Sequence, residues 1–168
     1  KQFNPRALVE VTRRMGITSR IDPVVSVFLG TSEFSVYEMV GAYGTYANRG
    51  VHIEPMLVTR IEDKNGNVLA TFHPQRNEAI SEQTAYLMLN LMEGVVNQGT
   101  GGRIRWLYSL QGPIAGKTGT TQNHSDGWFM GIVPNLVAGA WVGAEDRSVR
   151  FQTIGMGQGA NMALPIYA

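Results

Sequence analysis

The sequence predicts an α+β fold in which an antiparallel sheet packs against helices. Three helix-period stretches with recognisable caps lie in the first hundred residues, and three β-prone runs between residues 113 and 143 are joined by connections too short for a crossover. The composition supports one core: 168 residues, 43% hydrophobic and 16% charged, make one soluble globular domain and no disordered tail.

The first helix is expected from Asn4 as N-cap and Pro5 at the first helical position, with Ala7, Leu8, Val11 and Met15 on one side and Gly16 just past its end. A loop through Asp22-Pro23 leads to a second helix, Val36 to Asn48, stopping at Gly50. Its start is doubly specified, by a Ser35/Glu38 capping box and a Phe34/Met39 hydrophobic staple. Met56 to Glu62 and Asn67 to Phe72 flank Lys64-Asn65-Gly66, which predicts a hairpin with a type I′ turn. Ser81 caps a third helix whose apolar residues (Tyr86, Leu87, Met88, Leu89, Leu91, Met92, Val95 and Val96) cover most of its circumference, as in a helix buried on several sides. Past Gly99-Thr100-Gly101-Gly102, strands are expected at Pro113 to Thr121, Gly127 to Val133 and Leu136 to Gly143, forming a meander. The Gly155, Gly157, Gly159 run reads as a loop leading into a short helix from Ala160. It lacks the preceding strand and the spacing of a dinucleotide fingerprint.

Several function classes fall away. The formal net charge is +1 and the basic residues are scattered, which argues against nucleic acid as a partner. With no cysteine there is no disulfide, zinc ribbon or thiol catalysis, and the three histidines are not spaced as a metal pair. No apolar run approaches the roughly 18 residues that span a bilayer. The start, Lys1-Gln2-Phe3-Asn4-Pro5, has neither a signal peptide nor an initiator Met and reads like a piece cut from something longer.

Gly112 to Thr118 invites a phosphate-loop reading, but Gly112 and Gly116 enclose three residues where that motif needs four, and a meander follows instead of a helix. Lys117-Thr118-Gly119-Thr120-Thr121 reads better as a strand edge serving acyl transfer. Lys117 sets an ammonium beside a reacting centre, Thr118 and Thr120 offer hydroxyls to a carboxylate, and Gly119 lets a substrate backbone lie against the strand. The plainer alternative is a polar edge strand protected by Lys and Thr.

This run, followed by Asp126-Gly127-Trp128-Phe129-Met130-Gly131 and Ala140-Trp141-Val142-Gly143-Ala144-Glu145-Asp146, resembles the penicillin-binding proteins, specifically the transpeptidase domain of the bifunctional class A enzymes. Leu29-Gly30-Thr31, Ala42 to Gly50 and Val95-Val96-Asn97-Gln98-Gly99-Thr100-Gly101 look like that family in its order, so the resemblance covers nearly the whole of residues 1–168. It implies a penicillin-binding-protein/serine β-lactamase-like fold. It also implies an active-site serine in S-x-x-K, a second serine in S-x-N, and K-T-G on the strand facing them. Neither serine motif is present: Ser19, Ser26, Ser32, Ser35, Ser81, Ser109, Ser125 and Ser148 have no Lys three residues on and no Asn two residues on. The chain is therefore expected to be the C-terminal part of such a domain, with the nucleophile half elsewhere.

By this resemblance Lys117 sits in the proton-relay network, Thr118 and Thr120 hold the substrate's terminal carboxylate, and the Thr120 N–H is one oxyanion donor. Gly119 lines the substrate. The other donor belongs to the absent serine, and losing one such donor costs about 3 kcal/mol of transition-state stabilisation. The isolated chain is expected to be inactive. The implied parent is a D,D-transpeptidase that cross-links peptidoglycan stem peptides ending in D-Ala-D-Ala, is acylated by β-lactams, needs no cofactor, and works on the outer face of the bacterial cytoplasmic membrane through an N-terminal anchor. The alternative is a non-catalytic module binding a peptide carboxylate or a partner strand along Lys117 to Thr121. Separated from its missing half, the sheet should keep an exposed apolar edge near Val137 to Val142 and promote self-association or low stability.

Other residues read as structural. Asp126 is expected to cap its own backbone in a turn, and His124 to be solvated in the same turn. Trp128, Phe129 and Trp141 are expected to pack, the methionines to fill the core, and Glu38 to be used by its capping box, which leaves Glu33 without a partner for acid-pair chemistry.

Overall fold

The computed structural model describes residues 4–168; the opening Lys1-Gln2-Phe3, read above as carrying no leader, lies outside the described residues. Helix α1 spans Pro5–Arg14, and Asn4 caps it by accepting the Arg6 N–H at 3.0 Å. A 3₁₀ turn at Val25–Leu29 occupies the Asp22-Pro23 loop and leads to α2, Val36–Ala47. The expected capping box is present, and Glu38 does more than close it. Its carboxylate also accepts the Ser19 N–H (2.7 Å), the Ser19 hydroxyl (2.7 Å), the Thr18 N–H (2.9 Å) and the Thr18 hydroxyl (3.0 Å), pinning that loop to the start of α2. Partial burial works against its ionisation, but hydrogen bonds from Ser19, Ser35 and Thr18 outweigh it and hold the carboxyl well below the usual carboxylate range.

Strand β1 (Val51–Ile53) follows α2 and pairs antiparallel with β4 (Arg76–Glu78), a ribbon the sequence pattern did not indicate. Between them lies the expected hairpin, shortened to β2 (Arg60–Glu62) and β3 (Val68–Thr71). Its turn is not type I′. In the Lys64-Asn65-Gly66 loop only Gly66 has positive φ, at 85°. Asp63 accepts the N–H groups of Asn65 (2.8 Å) and Asn67 (2.9 Å), which holds Lys64 and Asn65 in an ordinary turn and leaves the left-handed step to Gly66. This is the three-residue hairpin with a glycine bulge.

Helix α3, Glu82–Gln98, starts at Ser81, whose hydroxyl accepts the Thr84 N–H at 3.2 Å. It is not buried on several sides. Ala85, Met92 and Val96 face the core, whereas Tyr86 (66% exposed), Leu87 (62%) and Leu91 (67%) form an uncovered apolar side, because no described element packs there. A short turn, α4 (Arg103–Trp106), follows. Strands β5 (Ala115–Thr120), β6 (Asp126–Val133) and β7 (Leu136–Gly143) form the expected meander, with β6 in the centre. The tail is three turns, α5 (Ile154–Gly157), α6 (Gly159–Met162) and α7 (Leu164–Tyr167). Gly155 and Gly157 are thus helical, and the chain turns repeatedly to follow the sheet surface.

The sheet separates two apolar layers. On one side Met92, Ala115 and Ile132 pack with Tyr43, Tyr46, Met88 and Leu89 of α2 and α3. On the other, Phe129, Ala140, Ala163 and Leu164 join Val96, Ile104 and Ile114, and Phe129 stacks against Tyr167 with centroids 4.9 Å apart. A third cluster, Met15, Ile17, Ile21, Ala42 and Ala79, ties α1 to α2 and the first ribbon. Phe129 is fully buried as expected, and Trp128 meets Trp141 across β6 and β7, centroids 6.5 Å apart. The apolar edge expected at Val137 to Val142 is the outer side of β7, unpaired among the described residues, with Leu136 and Trp141 exposed. No helix among the described residues is long and apolar enough to cross a membrane.

Candidate functional site

Strand β5 brings Lys117, Thr118, Gly119 and Thr120 together on one free edge of the sheet. Its only strand neighbour among the described residues is β6, with Lys117 opposite Met130, Thr118 opposite Phe129, Gly119 opposite Trp128 and Thr120 opposite Gly127. Alternation puts Thr118 and Thr120 on one face and Lys117 and Gly119 on the other. The burial pattern changes within the strand. Ala115 and Gly116 are buried anchors, while Lys117 and Thr120 are exposed and Thr118 and Gly119 half-exposed. The outer edge of β5 therefore offers backbone donors and acceptors flanked by two hydroxyls and an ammonium.

Each threonine hydroxyl is held by a different distant segment. Thr118 Oγ1 lies 2.6 Å from Thr100 Oγ1, on the loop after α3. Thr120 Oγ1 accepts the Gly159 N–H at 3.1 Å, from the first residue of α6. A hydroxyl that accepts an N–H keeps its own proton to donate, so Thr120 is set up as a donor to an anion. Gly159 can deliver that N–H only because it has no side chain: a Cβ there would collide with the carbonyl oxygens of Gly119 and Trp128. Lys117 Nζ donates to the Thr118 carbonyl at 2.5 Å. At Gly119 a Cβ would come within 3.0 Å of Trp128 Cβ, so its bare backbone serves the sheet as well as the open edge.

Two neighbouring residues differ from expectation. Asp126 does not cap its own backbone. It is the first residue of β6, its N–H donates to Thr121 Oγ1 at 3.1 Å, and its Oδ1 is buried without a hydrogen-bond partner among the described residues. His124 is not a solvated turn residue. It takes φ 60° next to Asn123 at φ 59°, its Cβ packs on Gly157, and its Nδ1 is likewise buried and unpartnered among the described residues. Tertiary packing against α5, absent from any local pattern, pulls it in. Glu33 pairs with Arg147. No cluster of His, Cys, Asp or Glu able to hold a metal ion occurs among the described residues. A hollow of about 330 Å³ lined by Gly44, Ala47, Asn135 and Leu136 lies by the β6–β7 turn, at the sheet end away from Thr120.

Sequence reasoning missed two contributors. Thr100 was visible only as part of a motif, a polar residue between two glycines, and Gly159 was set aside with its glycine run. Both act across the fold, 18 and 39 residues from their partners.

Residues 23–145 match the family described as the penicillin binding protein transpeptidase domain. The chain is 39% identical over 113 residues to a penicillin-binding protein 1A of Clostridium novyi (strain NT), covering 67% of this chain and 13% of that protein. It is 32% identical over 160 residues to a penicillin-binding protein 1A of Aquifex aeolicus (strain VF5), covering 95% of this chain and 21% of the relative. The chain thus spans about a fifth or less of the length of these relatives. Among solved structures, penicillin-binding protein 1A from Haemophilus influenzae superposes with a TM-score of 0.77 at 24% identity, covering 89% of this chain and 28% of that one. The penicillin-binding protein PonA1 from Mycobacterium tuberculosis also gives 0.77 at 24% identity, covering 97% and 48%.

Proposed function

Since the chain belongs to the penicillin-binding protein transpeptidase domain family, we propose that it is the C-terminal, substrate-holding portion of a class A D,D-transpeptidase, with the S-x-x-K and S-x-N segments contributed by polypeptide outside these residues. One observation carries the reading: Lys117, Thr118, Gly119 and Thr120 line an open strand edge whose two hydroxyls are oriented by Thr100 and Gly159. The uncovered side of α3 and the unpaired side of β7 support it, because they are surfaces a larger domain would close.

In this proposal a stem peptide ending in D-Ala-D-Ala lies along β5, its carboxylate accepting hydrogen bonds from the Thr118 and Thr120 hydroxyls. The nucleophilic serine attacks the penultimate carbonyl, and the oxyanion is held partly by the Thr120 N–H. Lys117 turns its ammonium to the second serine and takes part in moving the serine proton to the departing amine of the terminal D-Ala. The acyl group then passes to an amine of a neighbouring stem, releasing the serine and forming the cross-link. A β-lactam presents the same carboxylate and a reactive carbonyl, and stops at the acyl stage. The parent works at the outer face of the bacterial cytoplasmic membrane, anchored by its N-terminal part.

The chain alone holds one oxyanion donor and no nucleophile, so it neither acylates nor turns over. Intact-protein mass spectrometry with benzylpenicillin tests this. The 18.4 kDa chain is expected to keep its mass, and a longer polypeptide carrying both serine motifs is expected to gain one drug mass. An adduct on the short chain overturns the assignment of the nucleophile, and no adduct on the longer one overturns the enzymatic reading. A second reading, a non-catalytic module that binds peptide carboxylates, is favoured by Lys117 Nζ being spent on the Thr118 carbonyl; it gives reversible binding and no adduct in either case.

A further inference from the structure

We propose that Thr100 is a positioning residue that aims the Thr118 hydroxyl at the carboxylate of the donor peptide or β-lactam; the inference rests on the proposed function of β5. Thr100 and Thr118 approach to 2.6 Å between hydroxyl oxygens, a short separation for two neutral groups. Each hydroxyl has one proton. If Thr118 gave its proton to Thr100, it would meet a carboxylate with lone pairs only, and the two would repel. A carboxylate at β5 therefore selects the opposite arrangement, in which Thr100 donates to Thr118 Oγ1 and Thr118 donates onward to the anion. Polarised in series, the two bonds strengthen each other.

The backbone around Thr100 is built to hold this geometry. The Val95 carbonyl, at the end of α3, accepts the N–H groups of both Gly99 (3.1 Å) and Gly101 (3.0 Å), and Gly102 N–H donates back to Gly99 O at 3.1 Å. Thr100 is the tip of this tight wrap, so its side chain projects from a fixed point towards β5. Arg105 braces the same corner, donating to Asn97 Oδ1 at 3.0 and 3.1 Å and to the carbonyls of Leu110 (2.9 Å) and Gly112 (2.8 Å), which ties the end of α3 to the chain entering β5. The separation of Thr100 from Thr118 is thereby set by backbone on both sides rather than by a mobile surface side chain.

The role is specific to the ligand's carboxylate, which separates it from general support of the loop. In the longer polypeptide carrying both serine motifs, acylation rates are measured with benzylpenicillin and with its methyl ester, whose carboxylate is masked. Thr100→Val, close in shape and lacking the hydroxyl, is expected to slow acylation by benzylpenicillin about five- to tenfold, the scale of one lost hydrogen bond, and to affect the ester far less. Thr100→Ser is expected to recover most of the benzylpenicillin rate. Thermal melting of each variant checks folding, and Thr100→Ala replaces the valine variant if that one melts early. Equal slowing with both probes, or no slowing of benzylpenicillin, overturns the positioning role. Wild-type polypeptide that is not acylated at all overturns the proposed function, and this inference with it.

Discussion

The start of α2 and the β5–β6 loop are both polar corners of the same small fold, and they are built in opposite ways. At α2, the Glu38 carboxylate gathers Thr18, Ser19 and Ser35, each of which gives it both its N–H and its hydroxyl. At the β5–β6 loop, Asn123 and His124 take consecutive left-handed conformations, and His124 Nδ1 and Asp126 Oδ1 are buried with no partner among the described residues. A satisfied network stabilises its surroundings, whereas an unsatisfied buried group costs its desolvation. The costly corner adjoins Thr120, the end of the candidate substrate edge. Strain of this kind collects at functional sites and persists because packing elsewhere over-determines it.

The comparison makes one chemical change act with opposite signs. Glu38→Gln keeps the shape but turns an acceptor-only group into one that presents two donors of its own to the Ser19 and Thr18 donors. It is expected to destabilise the chain by about 1–2 kcal/mol in urea unfolding at neutral pH, the lower half of that range applying because the cluster is partly exposed. The pH dependence has a fixed direction. Because hydrogen bonding depresses the folded-state value below the ordinary 4.5, the carboxylate's contribution is fully present above that value and is lost as pH falls towards the folded-state value. The stability gap between wild type and Glu38→Gln should therefore shrink as pH is lowered below about 4.5. A gap that stays constant with pH would show that packing rather than charge does the work.

Asp126→Asn is the counterpart. It replaces a carboxylate whose Oδ1 is buried without a hydrogen-bond partner among the described residues by a neutral amide, and is expected to stabilise the chain by about 1 kcal/mol in the same unfolding experiment. A loss of stability would mean that Asp126 finds a partner in solution and that the two corners are alike.

These two corners also mark where the sequence was readable. Asn4, the Ser35/Glu38 box and Ser81 were legible because a cap acts within three residues, and the β5–β7 meander because its connections are short and its strands long. Strands β1 and β4 are three residues each, the second fully exposed, and they pair across more than twenty intervening residues, so no alternation announced them. The third helix misled for a different reason: its apolar circumference was real, but one side, Tyr86, Leu87 and Leu91, has no described element over it. At the site, Lys117 to Thr120 were visible because they are contiguous. Thr100 and Gly159 were not, since a hydrogen bond reaching 18 or 39 residues along the chain leaves no local trace. Asp126 and His124 were read by turn rules and decided by packing.

The smallest test isolates backbone strain from polar burial. Asn123 is more exposed than His124 and holds φ 59°, a conformation that asparagine tolerates and glycine adopts freely. Asn123→Gly relieves the strained step but loosens the unfolded chain, two effects of opposite sign. Asparagine already pays less for the left-handed region than other residues do, so the balance should be within about 0.5 kcal/mol of wild type. A larger stabilisation would mean that the loop's strain sits in its backbone. A result near zero would leave the strain with the buried Nδ1 of His124 and Oδ1 of Asp126, which is where the contrast with Glu38 locates it.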